Sequence, residues 1–143
     1  MKRFGILLLT LMAIPLAAFG ADLEIKDGTL FEAKFDIDSM HTKDGQANEL
    51  SASGDAGAYG RAYLSYVMTN LQSVDGYGEF TGHAWTQSGE EVFTATLQGI
   101  TKKEGNVYKM YTLDLVNNGV MNFAIGTVDM VEGTMTFQVG EID

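Results

Sequence analysis

The chain has 143 residues, 19 acidic against 9 basic side chains, a net charge of −10 and no cysteine. That length suits one domain, and the acidic balance excludes nucleic-acid phosphates and anionic lipid surfaces as natural partners, because both would be repelled. With no thiol there is no disulfide, thiolate metal site or cysteine nucleophile, so stability must come from core packing and strand pairing.

The first segment, MKRFGILLLTLMAIPLAAFG, opens with Lys2 and Arg3, runs apolar from Ile6 to Ala18, and ends on small residues before Ala21. This is the pattern of a secretory signal peptide over 1–20, leaving a single domain over 21–143. The apolar run is short for a bilayer span, and no cysteine follows it to carry a lipid. The expected location is secreted or periplasmic, with no membrane contact once the leader is gone. Cleavage removes two basic residues and no acidic one, which takes the charge from −10 to −12.

Next, Phe31, Ala33, Phe35 and Ile37 alternate with Glu32, Lys34 and Asp36, the mark of a half-buried strand. SMHTKDGQANELSASGDAGA at 39–58 is polar and glycine-rich, and reads as a long loop with a short strand near Leu50. From Tyr59 the pattern is a meander, with strands over 59–71, 76–87, 91–101, 107–116, 120–129 and 134–142. The turns between them fall at Ser88-Gly89, at 103–106, at Asn117-Asn118-Gly119 and at Glu132-Gly133. These residue types tolerate the positive φ that tight hairpins need. The expected fold class is all-β, an antiparallel meander closing into a small barrel of roughly eight strands. Closure removes exposed strand edges.

Within these strands one face is the more apolar. It collects Phe80 and Ala84; Phe93, Ala95 and Leu97; Tyr111, Leu113 and Leu115; Met121, Phe123 and Ile125; Met135, Phe137 and Val139. That face is assigned to the interior, and Thr81, His83, Trp85, Thr112, Asp114 and Asn122 to the solvent side. An outer-membrane barrel needs an apolar lipid-facing band, which this threonine-rich outer face does not provide.

GYGEFTGHAW at 76–85 holds the only tryptophan and one of the two histidines. On this register Phe80 points inward, while His83 and Trp85 share the other face. His41 and His83 stand apart, with no H-x-H or H-E-x-x-H, and Asp36, Asp38 and Asp44 lack a D-x-D-x-D-G loop. No metal is expected. Ser65, His83 and Asp114 can be written down as a triad, but no G-x-S-x-G elbow supports it. Met68, Met110, Met121, Met130 and Met135, set among Phe and Tyr, suit an adaptable apolar cavity or a filled small core equally. The residues expected to meet a ligand are Phe80, Phe93, Tyr111, Met121, Phe123 and Phe137 inside the barrel. Arg61 and Trp85 are placed at its rim, where Arg61 would pair with a carboxylate.

The meander of long strands, with GYGEFTGHAW early and LQGITKKEGNVYKMYTLDL after it, resembles the calycin-like barrels over 29–142. Within them it resembles the allene oxide cyclase-like barrel proteins of bacteria. The lipocalin G-x-W and the avidin-type tryptophans are absent. The resemblance implies a barrel with an apolar interior that holds a small hydrophobic molecule; in the cyclase-like branch such a cavity folds a reactive substrate. No catalytic residue of that branch matches a position here.

The expected function is an exported barrel that binds a small hydrophobic or amphipathic molecule, with no cofactor and no evident chemistry. One alternative is a cofactor-free cyclase or isomerase working by confinement. It needs a polar group such as Glu79, Tyr111 or Asp114 to enter the cavity with a perturbed pKa. The other is a structural or protein-interaction module with a filled core. A cavity holding one buried ionisable group would favour the enzyme; an absent cavity would leave the module.

Overall fold

Period-two alternation broken by turn residues produces eight strands in a computed structural model that describes residues 23–143. The leader expected over 1–20 lies outside the described residues. The strands are β1 (Phe31–Thr42), β2 (Asn48–Asp55), β3 (Arg61–Thr69), β4 (Tyr77–Ser88), β5 (Glu91–Glu104), β6 (Val107–Val116), β7 (Met121–Asp129) and β8 (Thr134–Ile142). Each pairs antiparallel with the next, and β8 pairs with β1 to close the barrel in meander order. Gly89, Gly105, Gly119 and Gly133 sit in the hairpin turns at positive φ, a conformation open to glycine without a steric penalty.

The stretch expected as a long loop is largely strand. β1 continues to Thr42, and β2 pairs along its length with both β1 and β3. A bulge at Asp38 lies between the rungs Ile37↔Ala52 and Ser39↔Ser51. It lets Met40 join Leu50 on the inner side. Leu50 and Ala52 are buried while Ser51 between them is only half-buried on the other side of the strand. The segment looks weak alone because barrel closure, not its own composition, supplies both sets of ladder partners.

Directly opposed residues in a ladder share a face, so the inward set passes from strand to strand through the register. Phe80 and Gly82 on β4 oppose Gly99 and Leu97 on β5. Gly99 and Thr101 oppose Thr112 and Met110 on β6, and Thr112 and Asp114 oppose Ala124 and Asn122 on β7. The interior of β6 and β7 is therefore the set that the sequence assigned to solvent. Tyr111, Leu113, Leu115, Met121 and Ile125 are exposed on the outer wall instead, and Phe123 is half-buried on that same side. With Ile100 they form an apolar strip across β5, β6 and β7.

Two edge-on aromatic pairs cross the barrel's middle, Phe35–Phe137 at 6.0 Å and Tyr66–Phe80 at 5.6 Å between ring centroids. Glycine makes room for them: a Cβ on Gly126 would overlap the Phe137 ring, and one on Gly82 would overlap Tyr66. The rest of the core divides between the two ends. Alanines gather at the end that carries the β2–β3, β4–β5 and β6–β7 connections; methionines gather at the other.

Candidate functional site

The interior of an eight-stranded barrel is just wide enough for side chains to fill. At the alanine end they do not reach far enough. Ala33, Ala62, Ala84, Ala95 and Ala124 all line one hollow of about 90 Å³. A 3-10 turn, Gly57–Tyr59, carries Tyr59 over this end. There Tyr59 meets Phe31 at 6.3 Å and Phe93 at 5.5 Å between ring centroids. The mouth is thus rimmed by aromatic edges and the wall below is mostly apolar.

Polar residues from several strands interrupt that apolar wall. Thr112 and Asp114 enter from β6, Asn122 from β7, Thr86 from β4 and Tyr66 from β3. The Thr112 hydroxyl donates to Asp114 Oδ1. Burial pushes the Asp114 carboxyl up to about 6, with the Thr112 bond opposing part of that rise. Among the described residues no Lys, Arg, His or Glu lines the cavity, so none of their cations offsets the carboxylate. Beside Asp114 the β5–β6 ladder lacks two rungs, passing from Thr96↔Leu115 to Gly99↔Thr112. Burial also raises Tyr66, and the nearby negative charge of Asp114 adds to it. Tyr66 is therefore held as a neutral hydroxyl.

Two further atoms in this wall have no partner at all. Thr86 Oγ1 and Asn122 Oδ1 are buried without a hydrogen bond, on residues only 6 % and 5 % exposed. Leaving such an atom unpaired costs on the order of 1–3 kcal/mol. Both atoms belong to residues that line the same cavity.

The opposite mouth has different chemistry. Met40, Met68, Met110 and Met130 line a wider depression of about 370 Å³, together with Asn70, Tyr77 and Tyr108. Among the described residues no unpaired buried side-chain atom lies there. Flexible thioethers can close over such a space by changing rotamer.

The residues expected to meet a ligand are scattered by the register. Phe93 and Phe137 line the alanine-end cavity. Phe80 is buried but packs on Tyr66 beneath it. Tyr111 and Met121, 37 % and 38 % exposed, point away from the interior, as does Phe123. Trp85 is not at a rim; it is 42 % exposed on the outer wall, stacked at a tilt on Tyr63. Arg61 also lies outside, donating to Ser53 Oγ and Tyr63 Oη and covering the Tyr63 ring. His83 and Trp85 share a shallow outer depression with Ser65 and Leu115, so the barrel wall separates Ser65 and His83 from Asp114. Of the three polar groups any one of which could serve an enzyme, Glu79 is tied up accepting from the Leu71 N–H, Tyr111 faces out, and only Asp114 reaches the cavity.

The sequence reading puts Thr112, Asp114 and Asn122 on the solvent side because they are polar, and it takes no account of Thr86. A signal did exist. β5 and β6 are joined by the two-residue turn Gly105-Asn106 between the paired Glu104 and Val107. An even-length turn opposes odd-numbered to even-numbered residues, so an inward Ala95 and Leu97 already demand an inward Thr112 and Asp114. Among the described residues no group of three His, Cys, Asp or Glu side chains gathers to hold a metal. Neither a protein-family model, nor a curated protein, nor a solved structure matches this chain.

Proposed function

We propose that this barrel is an exported carrier or receptor for a small, mainly apolar molecule bearing one hydrogen-bonding group. The observation that supports it is the alanine-end cavity, apolar over most of its wall yet containing two buried polar atoms without partners. Ligand pockets combine an apolar lining with a few well-placed polar groups in this way. The hollow of about 90 Å³ is smaller than the roughly 150 Å³ that accepts a benzene ring in an engineered apolar cavity. The polar head of the ligand therefore enters, and its apolar body extends toward Phe31, Tyr59 and Phe93. Membership of the calycin-like barrels, and of their allene oxide cyclase-like branch, accords with this reading.

Native mass spectrometry of the mature protein, purified from an exporting host, tests it. A non-covalent adduct that is lost on collisional activation is expected. A bare mass, with no shift of the cavity alanine methyls on titration with short-chain amphiphiles, would overturn the proposal.

A cofactor-free isomerase is the second reading. It is favoured by Asp114, a cavity carboxyl raised to about 6 by burial, where a general base is well poised. Confinement, however, requires the reacting part of the substrate to be enclosed, which the small hollow favours less than insertion of a head group. Turnover of an added unsaturated ketone, abolished in Asp114→Asn, would promote this second reading.

A further inference from the structure

We infer that the head group this cavity takes is a protonated amine. The inference rests on the ligand-binding reading above and narrows it to one chemical class. It begins from a mismatch between what the wall offers and what it lacks. Three residues from three strands bring hydrogen-bond acceptors to one hollow: Asp114 on β6, Asn122 on β7 and Thr86 on β4. The Asn122 and Thr86 oxygens are buried without partners, and one Asp114 oxygen is satisfied only by the Thr112 hydroxyl.

Among the described residues no cation faces them. The titratable residues lining the cavity are Asp114, Tyr59 and Tyr66, with no Lys, Arg, His or Glu among them. The neighbouring wall of β7 offers neutral Asn122 and Ala124, and β5 offers Ala95 and Leu97. A buried carboxylate is ordinarily paired. Among the described residues that line the cavity no such partner stands, so the ligand supplies it.

An alkylammonium supplies what is absent: a positive charge and three N–H donors for a carboxylate and two neutral oxygens. The rings of Phe31, Tyr59 and Phe93 at the mouth offer apolar surface to the body of such a ligand. The net charge of −10 favours its approach from solution. A carboxylate or phosphate head would meet Asp114 with a like charge. A neutral hydroxyl could donate to only one of the acceptors.

Paired probes with one apolar body and different heads test this. Pentylammonium and 1-pentanol are titrated into the mature protein at pH 7.5, followed by calorimetry and by the methyl resonances of the cavity alanines. The expected result is that the amine binds roughly tenfold or more tightly, the value of one charge-assisted hydrogen bond. Asp114→Asn should abolish that preference, bringing the affinities of the two probes within about twofold of each other. Binding of both probes with no preference, or a preference for the alcohol, overturns the amine assignment and leaves the binding reading standing. Binding of neither probe overturns both. If Asp114→Asn fails to give the native circular dichroism spectrum, the wild-type preference is measured at pH 5. Asp114 is the only cavity group that gains a proton there, so the preference must collapse; its persistence overturns the assignment.

Discussion

The two ends of this barrel are built from the same strands on the same registers, yet they have opposite characters. One is walled by alanines, rimmed by aromatic edges, and holds a buried carboxylate with two unpaired polar atoms. The other is walled by methionines and leaves no such atom unpaired among the described residues. The methionine end is the wider of the two, about 370 Å³ against about 90 Å³. Volume alone would pick it as the site. Chemistry picks the other, because thioethers adapt to an empty space at little cost, whereas an unpaired buried oxygen cannot relax without a partner. In a small barrel, what the wall leaves unsatisfied says more about function than how much room it leaves.

That contrast can be broken at its floor. Phe137 packs on Phe35 and fills the space left by Gly126, at the level that separates the two ends. Phe137→Ala should cost about 3–5 kcal/mol in chemical denaturation, the range for truncating a buried ring. A loss near zero would show that no rigid floor divides the ends.

Asp114 gives the next largest effect, with the opposite sign. Its carboxyl is raised to about 6 by burial, against an ordinary value near 3.9. Between these values the native state holds a proton that the unfolded state releases, so stability falls as pH rises through that window and the penalty is complete above it. Asp114→Asn should therefore stabilise the protein at pH 7.5 by roughly 3 kcal/mol, and the gain should vanish near pH 4. Urea midpoints at the two pH values check it. An equal gain at both would mean that burial does not burden this carboxyl.

Met110→Leu probes the other end. The residue is fully buried, but a swap of similar volume among adaptable neighbours should cost less than about 1.5 kcal/mol. It should also leave pentylammonium binding unchanged, as read by calorimetry. Weakened binding would move the site to the methionine mouth.

Trp85→Ala should change least. Trp85 lies on the outer wall against Tyr63, so at most about 1 kcal/mol of pair energy is at stake. Ligand affinity should not move. A marked drop in affinity would return GYGEFTGHAW to the site from which the register removes it.

Much of the fold was legible. β6 and β8 have the bounds expected from alternation alone, and the meander order and closure follow from short turns. β2 was not legible, because NELSASGD carries its apolar residues only at Leu50 and Ala52, and these become a strand face through pairing on both sides. The site was legible only in part. Alternation puts Phe93 and Phe137 on the right face, and Asp114 is one of the three polar groups that the enzyme reading singles out. The preference for apolar interiors then put Tyr111, Leu113 and Phe123 inside and sent Asp114 and Asn122 to solvent. The hairpin through Gly105 and Asn106 contradicts that choice.

What the sequence determined by itself was where strands run and where they turn, since alternation and turn chemistry are local properties of a few residues. Which side of each strand faces inward was decided only by the closed tertiary structure. A face is defined relative to the paired neighbour, and around a closed barrel all eight strands must agree. That agreement outweighs the local preference of β6 and β7 for burying their larger side chains. It brings Thr86, Asp114 and Asn122, distant in the chain, into one apolar cavity.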